Sequence, residues 1–164
     1  MCSSDLATTK TSFGAGWTIS TDALRGGKSK TQSAVVNAGA SGSAHALRIS
    51  GTIDSAPGQH WAGVMFSPGM RMMSPANLLG KSGVSFWAKG DGKSAYVMVF
   101  SQSRGFAPAI KTFVTPREWK QFQFDWQEFD GLDGVGVLGI FLGGGIESGP
   151  FELQIDEVRL GSGK

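Results

Sequence analysis

The chain has 164 residues, of which 40% are hydrophobic and 17% charged, and its formal net charge at pH 7 is +2. That length fits one domain with a sizeable core, and the 25 glycines indicate a fold rich in turns. The 15 lysines and arginines are scattered singly, so neither a nucleic-acid-binding surface nor attachment to an anionic membrane is predicted.

The two ends of the chain show no targeting or anchoring pattern. The first dozen residues lack the basic start and apolar run of a signal peptide, and no apolar stretch approaches the ~20 residues that cross a bilayer. Cys2 is the only cysteine, which excludes a disulfide framework and a cysteine-based metal site. We therefore expect tails or linkers at 1–12 and 161–164 around one domain at 13–160. The compartment and the parent protein are left open.

A Gly-Lys-Ser triplet at residues 27–29 raises the question of nucleotide binding. A phosphate-binding P-loop needs a further glycine five residues before Gly27, where this chain has Asp22, whose carboxylate would face the phosphates. A second triplet at 80–82 fails in the same way, because Pro75 occupies the glycine position. No nucleotide is therefore predicted to bind.

Ten short segments alternate apolar and polar residues between turn-forming residues, which is the pattern of half-buried strands. In chain order they are 16–20, 32–37, 44–53, 60–67, 83–89, 95–102, 109–114, 119–125, 136–142 and 151–160. Helical patterns are confined to 74–80 and 125–132, where we expect connectors of one or two turns. The absence of recurrent strand-helix alternation favours an all-β fold, an antiparallel β-sandwich of two stacked sheets.

The stretch GDGKS at 90–94 separates two of these strands, at 83–89 and 95–102. Its Gly-Asp-Gly sequence supplies the left-handed positions of a tight hairpin. We therefore expect the two strands to pair antiparallel.

Alternation along the strands of the C-terminal half assigns their side chains to two faces. The set predicted to face the core is Val84, Phe86, Phe122, Phe124, Phe151, Leu153 and Ile155. The opposite faces are predicted to carry Ser85, Trp87, Lys89, Trp119, Gln121, Gln123, Asp125, Glu152, Gln154 and Asp156. A face with glutamines, a tryptophan and few charges is typical of a surface that meets a polar ligand or a partner.

Candidates for catalysis are few. His45 and His60 are the only histidines, both expected to be structural or solvent-facing, and no serine lies in a Gly-x-Ser-x-Gly elbow. Four carboxylates lie in one loop: Asp125, Glu128, Asp130 and Asp133. Turn formation and helix capping explain their presence without a catalytic role. The chain is therefore predicted not to be an enzyme.

Tryptophans and methionines supply the candidates for ligand binding. Trp61 and Trp87 share their strand faces with small or polar residues, so either ring could stack on a sugar. The polar side chains that would hydrogen-bond such a ligand are Gln121, Gln123 and Arg104. Packing in the core or at an edge is the alternative for both rings. Of the other tryptophans, Trp17 and Trp119 are expected to cap the core, and Trp126 to fill the space beneath the short connector. The loop PGMRMM at 68–73 is either an adaptable binding surface or a lid.

Three short motifs occur one after another along the chain. The first comprises Trp17, Asp22, Leu24, Gly26, Gly27 and Ser29; the second comprises Gly90, Asp91, Gly92, Lys93 and Tyr96; and the third comprises Phe151, Leu153, Ile155 and Asp156. In this order and spacing, over about residues 13–160, the chain resembles the complex I intermediate-associated protein 30 family, whose fold is a galactose-binding-like jelly roll. It departs from the family pattern at 23–25, where Ala-Leu-Arg stands in place of a frequent methionine before the glycines.

The resemblance implies a non-catalytic binding or assembly module. Mitochondrial members of the family are assembly chaperones for respiratory complex I (NADH:ubiquinone oxidoreductase), and bacterial relatives occur as accessory domains tethered to larger enzymes. The short chain favours the bacterial, accessory type. The alternative is a carbohydrate-binding module that uses an aromatic and polar sheet face, so the expected partner is either a protein or a polysaccharide or oligosaccharide.

The resemblance also implies structural roles. Gly26 and Gly27 would form the tight turn between the first two strands, which Asp22 and Ser29 would fasten by hydrogen bonds. Asp156 resembles the final-strand carboxylate that holds a structural calcium ion in jelly-roll sugar-binding modules. No acidic residue of the usual kind precedes Trp17, however, so we expect no metal or other cofactor.

Overall fold

The computed structural model describes residues 14–105 and 107–161. The predicted tail at 1–12, with Cys2, and residues 162–164 of the predicted tail at 161–164 lie outside the described residues. Ten strands form two five-stranded antiparallel sheets. The strands are β1 (Gly16–Thr21), β2 (Lys30–Asn37), β3 (His45–Ile53), β4 (Ala62–Ser67), β5 (Gly83–Gly90), β6 (Ser94–Ser101), β7 (Ala109–Val114), β8 (Lys120–Asp125), β9 (Val137–Gly144) and β10 (Gly149–Leu160).

Sheet I has the strand order β1-β4-β9-β6-β7, and sheet II has the order β2-β3-β10-β5-β8. The predicted all-β antiparallel sandwich is confirmed, and each of the ten predicted strands lies within a few residues of an observed one. The connections include four short 3-10 turns, at Asp22–Arg25, Ala40–Gly42, Gln102–Arg104 and Trp126–Glu128. Within the described residues no helix is long and apolar enough to cross a membrane.

The prediction of a helical turn at 74–80 is wrong. Ala76 instead forms an isolated bridge with Val137, and the two residues exchange backbone hydrogen bonds of 2.9 and 3.0 Å. The backbone N–H and C=O groups of Ala76 are therefore not available for the hydrogen bonds of a helical turn. The connector at 125–132 does contain one 3-10 turn, capped by Asp125 and Glu128.

The predicted hairpin between β5 and β6 is also wrong, because the two strands belong to different sheets. β5 lies between β10 and β8 in sheet II, whereas β6 lies between β9 and β7 in sheet I. The Asp91 carboxylate holds the turn that joins them: it accepts the backbone N–H of Lys93 within the turn and that of Glu152 in β10, each at 3.0 Å. Gly90 donates its N–H to Pro116 at 2.7 Å. The turn at 90–94 therefore carries the chain from sheet II to sheet I.

The core fills the space between the sheets with the inner side chains of both. Its centre is an aromatic group in which the ring of Phe86 lies 5.2 Å from Phe113, 5.7 Å from Phe122 and 6.2 Å from Phe124. Trp17 and Trp126 are buried as expected. Trp119 does not cap the core, since it is half-buried on the outer face with the Lys89 ammonium 5.0 Å from its ring centre.

Two residues that alternation places on the outer face of sheet II are nevertheless buried. Ser85 is 1% exposed and Asp156 is fully buried. The turn around Ala40 covers Asp156, whose carboxylate accepts the Ala40 N–H at 2.7 Å. Strand parity gives the direction of a side chain but not the loops that cover it.

Candidate functional site

The five residues predicted to bind a ligand do not form one site. Trp61 stands just before β4, on the outer face of sheet I, whereas Trp87, Gln121 and Gln123 share the outer face of sheet II. Arg104 lies in a third place, in the turn after β6, where its guanidinium is 3.2 Å from the carboxylate of Asp130. Trp87 is therefore the one of the two candidate rings that has the glutamines beside it, and ligand binding by these residues stays a prediction.

The outer face of sheet I carries a second apolar cluster, separate from the core. Met65, Met98 and Phe141 are buried there, and Trp61, Tyr96 and Phe100 pack against them. Glycines on the same strands make room for these side chains: a Cβ atom at Gly63 or Gly143 would lie 2.9 or 2.7 Å from the Phe141 ring, and one at Gly139 would lie 2.6 Å from the Met65 sulfur. Large side chains can therefore lie flat on the sheet.

Beside this cluster is a depression of about 380 Å³, and a smaller hollow of about 50 Å³ adjoins it through three shared residues. We call the two together the methionine groove. Its lining residues are Thr18, Ile19, Ser20, Leu24, Arg25, Gln59, Trp61, Met65, Met72, Met73, Met98, Phe100 and Pro108. Arg25 alone among them is charged.

Several lining side chains are exposed although they are apolar. Leu24 is 85% exposed, Met72 63% and Ile19 49%. Exposed apolar side chains that cluster in this way are typical of surfaces that bind a protein, a membrane or a ligand. Trp61 and the methionine loop are both candidates that the sequence indicates. The contribution of β6 is not among the predictions, although its signal is present: Tyr96, Met98 and Phe100 alternate with Ala95, Val97 and Val99, so both faces of that strand are apolar.

One rim of the groove, the 3-10 turn Asp22–Arg25, is held by a buried carboxylate. Asp22, 2% exposed, accepts the Ser29 hydroxyl at 2.6 Å and the Ser29 N–H at 3.0 Å. His60 Nδ1 lies 2.8 Å from the same carboxylate, and its Nε2 lies 2.6 Å from the Ala56 carbonyl oxygen. Asp22 also donates its own N–H to the carbonyl of Trp61 at 3.0 Å. The network fixes the rim against the floor.

The charges in this network follow from its geometry. Both partners of the His60 ring are acceptors, so both ring nitrogens must donate, which only the imidazolium can do. The bond to Ala56 and then the bond to Asp22 raise the pKa of His60. Burial pushes the pKa of Asp22 up, but hydrogen bonds from Ser29 and His60 outweigh it and hold that pKa below its ordinary value. The geometry is that of a hydrogen-bonded pair between the His60 imidazolium and the Asp22 carboxylate.

Asp22, Ser29 and His60 do not have the geometry of a nucleophilic triad. A triad requires the serine hydroxyl to bond the imidazole, which the carboxylate then orients. Here the Ser29 hydroxyl donates to Asp22 and accepts the Asp54 N–H at 2.9 Å. The serine oxygen is thus engaged in holding two turns together.

The outer face of sheet II carries a different, polar hollow of about 230 Å³, lined by Ser41, Trp87, Gln121, Glu157 and Arg159. A bulge in β10 between Asp156 and Arg159 shapes it, and Glu157 has a left-handed backbone there, with φ of 47°. The Arg159 guanidinium pairs with the Glu157 carboxylate. Within the part of the chain that the structure describes, the buried Arg159 Nε and Ser85 Oγ atoms make no hydrogen bond.

Asp156, the weak candidate for a metal ligand, lies beneath this hollow. Its oxygens accept N–H groups of Ala40 and Glu157, both at 2.7 Å. Burial raises the pKa of Asp156 in spite of these bonds. Among residues 14–105 and 107–161, no three histidine, cysteine or acidic side chains are grouped so that they could hold a metal ion.

The sequence was compared with protein families and with curated proteins. The family model for complex I intermediate-associated protein 30 (CIA30) matches residues 6–134. No curated protein matches the sequence.

Several solved structures with the same fold are carbohydrate-binding modules. The family 11 module of a cellulosomal cellulase of Clostridium thermocellum is 15% identical, with a TM-score of 0.64 over 96% of this chain and 91% of that one. A family 30 module is 13% identical, with a TM-score of 0.62 over 92% and 85%. A xylan-binding family 22 domain from Paenibacillus barcinonensis is 15% identical, with a TM-score of 0.56 over 100% and 95%. The predicted galactose-binding-like jelly roll is confirmed, and at these identities the likeness shows the fold alone.

Proposed function

This chain belongs to the complex I intermediate-associated protein 30 (CIA30) family, and from that premise we propose that it is a non-catalytic assembly module whose methionine groove binds an apolar segment of a protein partner. The observation that carries the proposal is the lining of the groove. Four methionines and two aromatic rings are among its lining residues, and Met72 and Met73 are exposed.

The methionines suit a protein ligand. Their side chains are unbranched and polarisable, so they adapt to apolar surfaces of different shape. Met65 is fixed by packing in the floor, whereas Met72 and Met73 belong to the exposed loop that forms a rim. A rigid floor with an adjustable rim favours segments of varied sequence. A sugar would need more polar partners than Thr18, Ser20, Gln59 and Arg25 offer.

Two variants of the methionine loop test the proposal. Met72→Ser with Met73→Ser removes the adjustable rim, and Met70→Ser is the control, because Met70 is 97% exposed in the same loop but does not line the groove. A partner identified by photo-crosslinking from the groove should be retained by the control and lose about tenfold or more in affinity with the double variant. Equal affinity for both variants would contradict the proposal.

A second candidate function, carbohydrate binding, is favoured by the polar hollow on sheet II. The half-buried Trp87 ring offers a stacking surface, and Gln121, Glu157 and Arg159 offer polar groups around it. Several solved structures of the same fold are carbohydrate-binding modules, which adds support. In this role the chain would be an accessory domain that keeps an enzyme domain near its polysaccharide.

Oligosaccharide titrations separate the second function from the first. Binding at the hollow should shift the tryptophan fluorescence, and the shift should vanish in Trp87→Ala but persist in Trp119→Ala, since Trp119 shares the face but does not line the hollow. Gene context supplies an independent test: a hydrolase domain in the same gene supports the accessory role, and adjacent respiratory genes support the assembly role.

A further inference from the structure

We infer that the methionine groove selects a protein segment in which apolar side chains flank one carboxylate, an aspartate or glutamate that pairs with Arg25. This inference rests on the proposed function of the groove. It concerns the chemistry of the partner, which the apolar lining alone does not specify.

The charge of the groove is the first argument. Arg25 is the one charged side chain among the lining residues, and it forms no ion pair with the residues that the structure describes. The nearest carboxylate in sequence, that of Asp22, is turned inward to Ser29 and His60. Among residues 14–105 and 107–161, the positive charge of Arg25 therefore has no carboxylate paired with it.

The position of Arg25 is the second argument. Its guanidinium carbon lies 5.6 Å from the ring centre of Trp61, and Arg25 lines both the larger and the smaller hollow. Apolar residues lie on either side, with Ile19 and Met72 in the larger hollow and Pro108 in the smaller one. A bound carboxylate would accordingly be central, with apolar side chains before and after it.

The surroundings make such a pair effective. A planar guanidinium is weakly hydrated and matches a carboxylate with two parallel hydrogen bonds. An apolar segment laid over the pair would exclude water and strengthen the attraction. The same segment without a carboxylate would leave the arginine covered and unpaired, which costs free energy.

The turn that carries Arg25 is already ordered. Thr21 caps it by accepting the Ala23 N–H at 3.4 Å, Gly26 ends it with a left-handed φ of 81°, and the Asp22 network fastens its base. Ordering the arginine backbone is thus not a cost of binding. Preorganised groups of this kind contribute more of their interaction energy to affinity.

The test uses a library of capped peptides with apolar residues around a central glutamate and a matched library with glutamine at that position. The full chain should bind glutamate peptides about tenfold more tightly, as measured by fluorescence polarisation. Arg25→Gln should abolish that preference, and Arg25→Glu should transfer it to peptides with a central lysine. Arg71→Gln is the control, since Arg71 lies in the methionine loop outside the groove lining, and it should retain the preference.

The outcomes separate this inference from the proposed function. Equal binding of both libraries, weakened by Met72→Ser with Met73→Ser, overturns the carboxylate preference and leaves the groove as a binding site. Binding of neither library overturns both. Occupation of the groove by a second copy of the chain, seen as a dimer that Met72→Ser disrupts, overturns the inference.

Discussion

At the scale of single residues, the turn between β1 and β2 depends on how little space surrounds Asp22. A Cβ atom at Gly27 would lie 2.3 Å from the Asp22 carboxyl carbon and 2.3 Å from one of its oxygens. Gly27→Ala should therefore displace a buried carboxylate that holds Ser29 and His60. We expect a loss of about 1–3 kcal/mol in the free energy of unfolding, measured by chemical denaturation. Gly27→Val should cost more.

Gly80→Ala is the matched control for that substitution. Gly80 begins the other Gly-Lys-Ser triplet, but a Cβ atom there meets nothing within 4 Å and its backbone is not left-handed. Its stability should change by less than about 0.5 kcal/mol. Equal losses at both positions would contradict the role of Asp22, and measurable ATP binding by the unmodified chain would contradict the exclusion of a P-loop.

The His60 imidazolium gives stability a pH dependence of definite sign. Because the folded-state pKa of His60 is raised, its contribution is fully present below the ordinary value of about 6.5 and is lost as the pH rises through the folded-state pKa. The gap in unfolding free energy between the natural chain and His60→Gln should become smaller as the pH rises through the folded-state pKa of His60. Asp22→Asn should lower the titration midpoint of His60 followed by NMR. A gap that is constant with pH would refute the charged pair.

The residues of this network differ in how far sequence could predict them. Asp22, Gly27 and Ser29 belong to one short motif, so their association was a reasonable expectation. His60 lies 38 residues beyond Asp22, and nothing local to either residue indicates that they meet. Their contact depends on the pairing of β1 with β4, which is a property of the sheet.

At the scale of elements, the turn between β5 and β6 is held chiefly by Asp91. Its carboxylate accepts N–H groups of Lys93 and Glu152 and lies 3.3 Å from the Thr115 hydroxyl. Asp91→Ala should lower the unfolding free energy by about 1–2 kcal/mol, because it frees a connection between both sheets. Asp133→Ala is the control, since that carboxylate bonds the Val135 N–H within its own turn. Equal effects in thermal unfolding would contradict the tertiary role of Asp91.

The element-level predictions that succeeded depend on local sequence pattern, and those that failed depend on the pairing of distant strands. Alternation and turn residues are encoded within a few positions, so all ten strands could be located. The Gly-Asp-Gly turn fits a hairpin and a crossing between layers equally well locally. The choice depends on β10 and β8, which occupy both edges of β5. The contribution of β6 to the groove was not predicted for a related reason: a strand with two apolar faces does not indicate which face lies outside the core.

The final strand gives a further element-level prediction, which concerns metal removal. Asp156 receives two backbone N–H groups, from Ala40 and Glu157, so its oxygens already have hydrogen-bond partners without a cation. We therefore expect the same melting temperature with and without excess EDTA. A drop in melting temperature with chelator, reversed by added calcium, would overturn this expectation.

At the scale of the whole molecule, the two outer faces offer different chemistry. Sheet I presents an apolar groove with one arginine, and sheet II presents a polar hollow around one tryptophan. The core separates them, so a substitution on one face should leave binding at the other unchanged. This independence makes the two proposed functions separately testable in one chain.

The order of the strands predicts where the chain cannot be cut. The match to the family model ends at residue 134, before β9 and β10. Yet β9 lies between β4 and β6 in sheet I, and β10 lies between β3 and β5 in sheet II. Without them each sheet separates into two strand pairs, and isolated pairs are at best marginally stable.

A fragment that ends at residue 134 should therefore lack a cooperative thermal transition and the dispersed NMR spectrum of a packed core. A chain that ends at Gly161 is the control and should unfold with the melting temperature of the full sequence. Adding a peptide of residues 135–164 to the fragment should restore the transition, because that peptide supplies the central strand of both sheets. Cooperative unfolding of the fragment alone would show that the two sheets do not depend on their C-terminal strands.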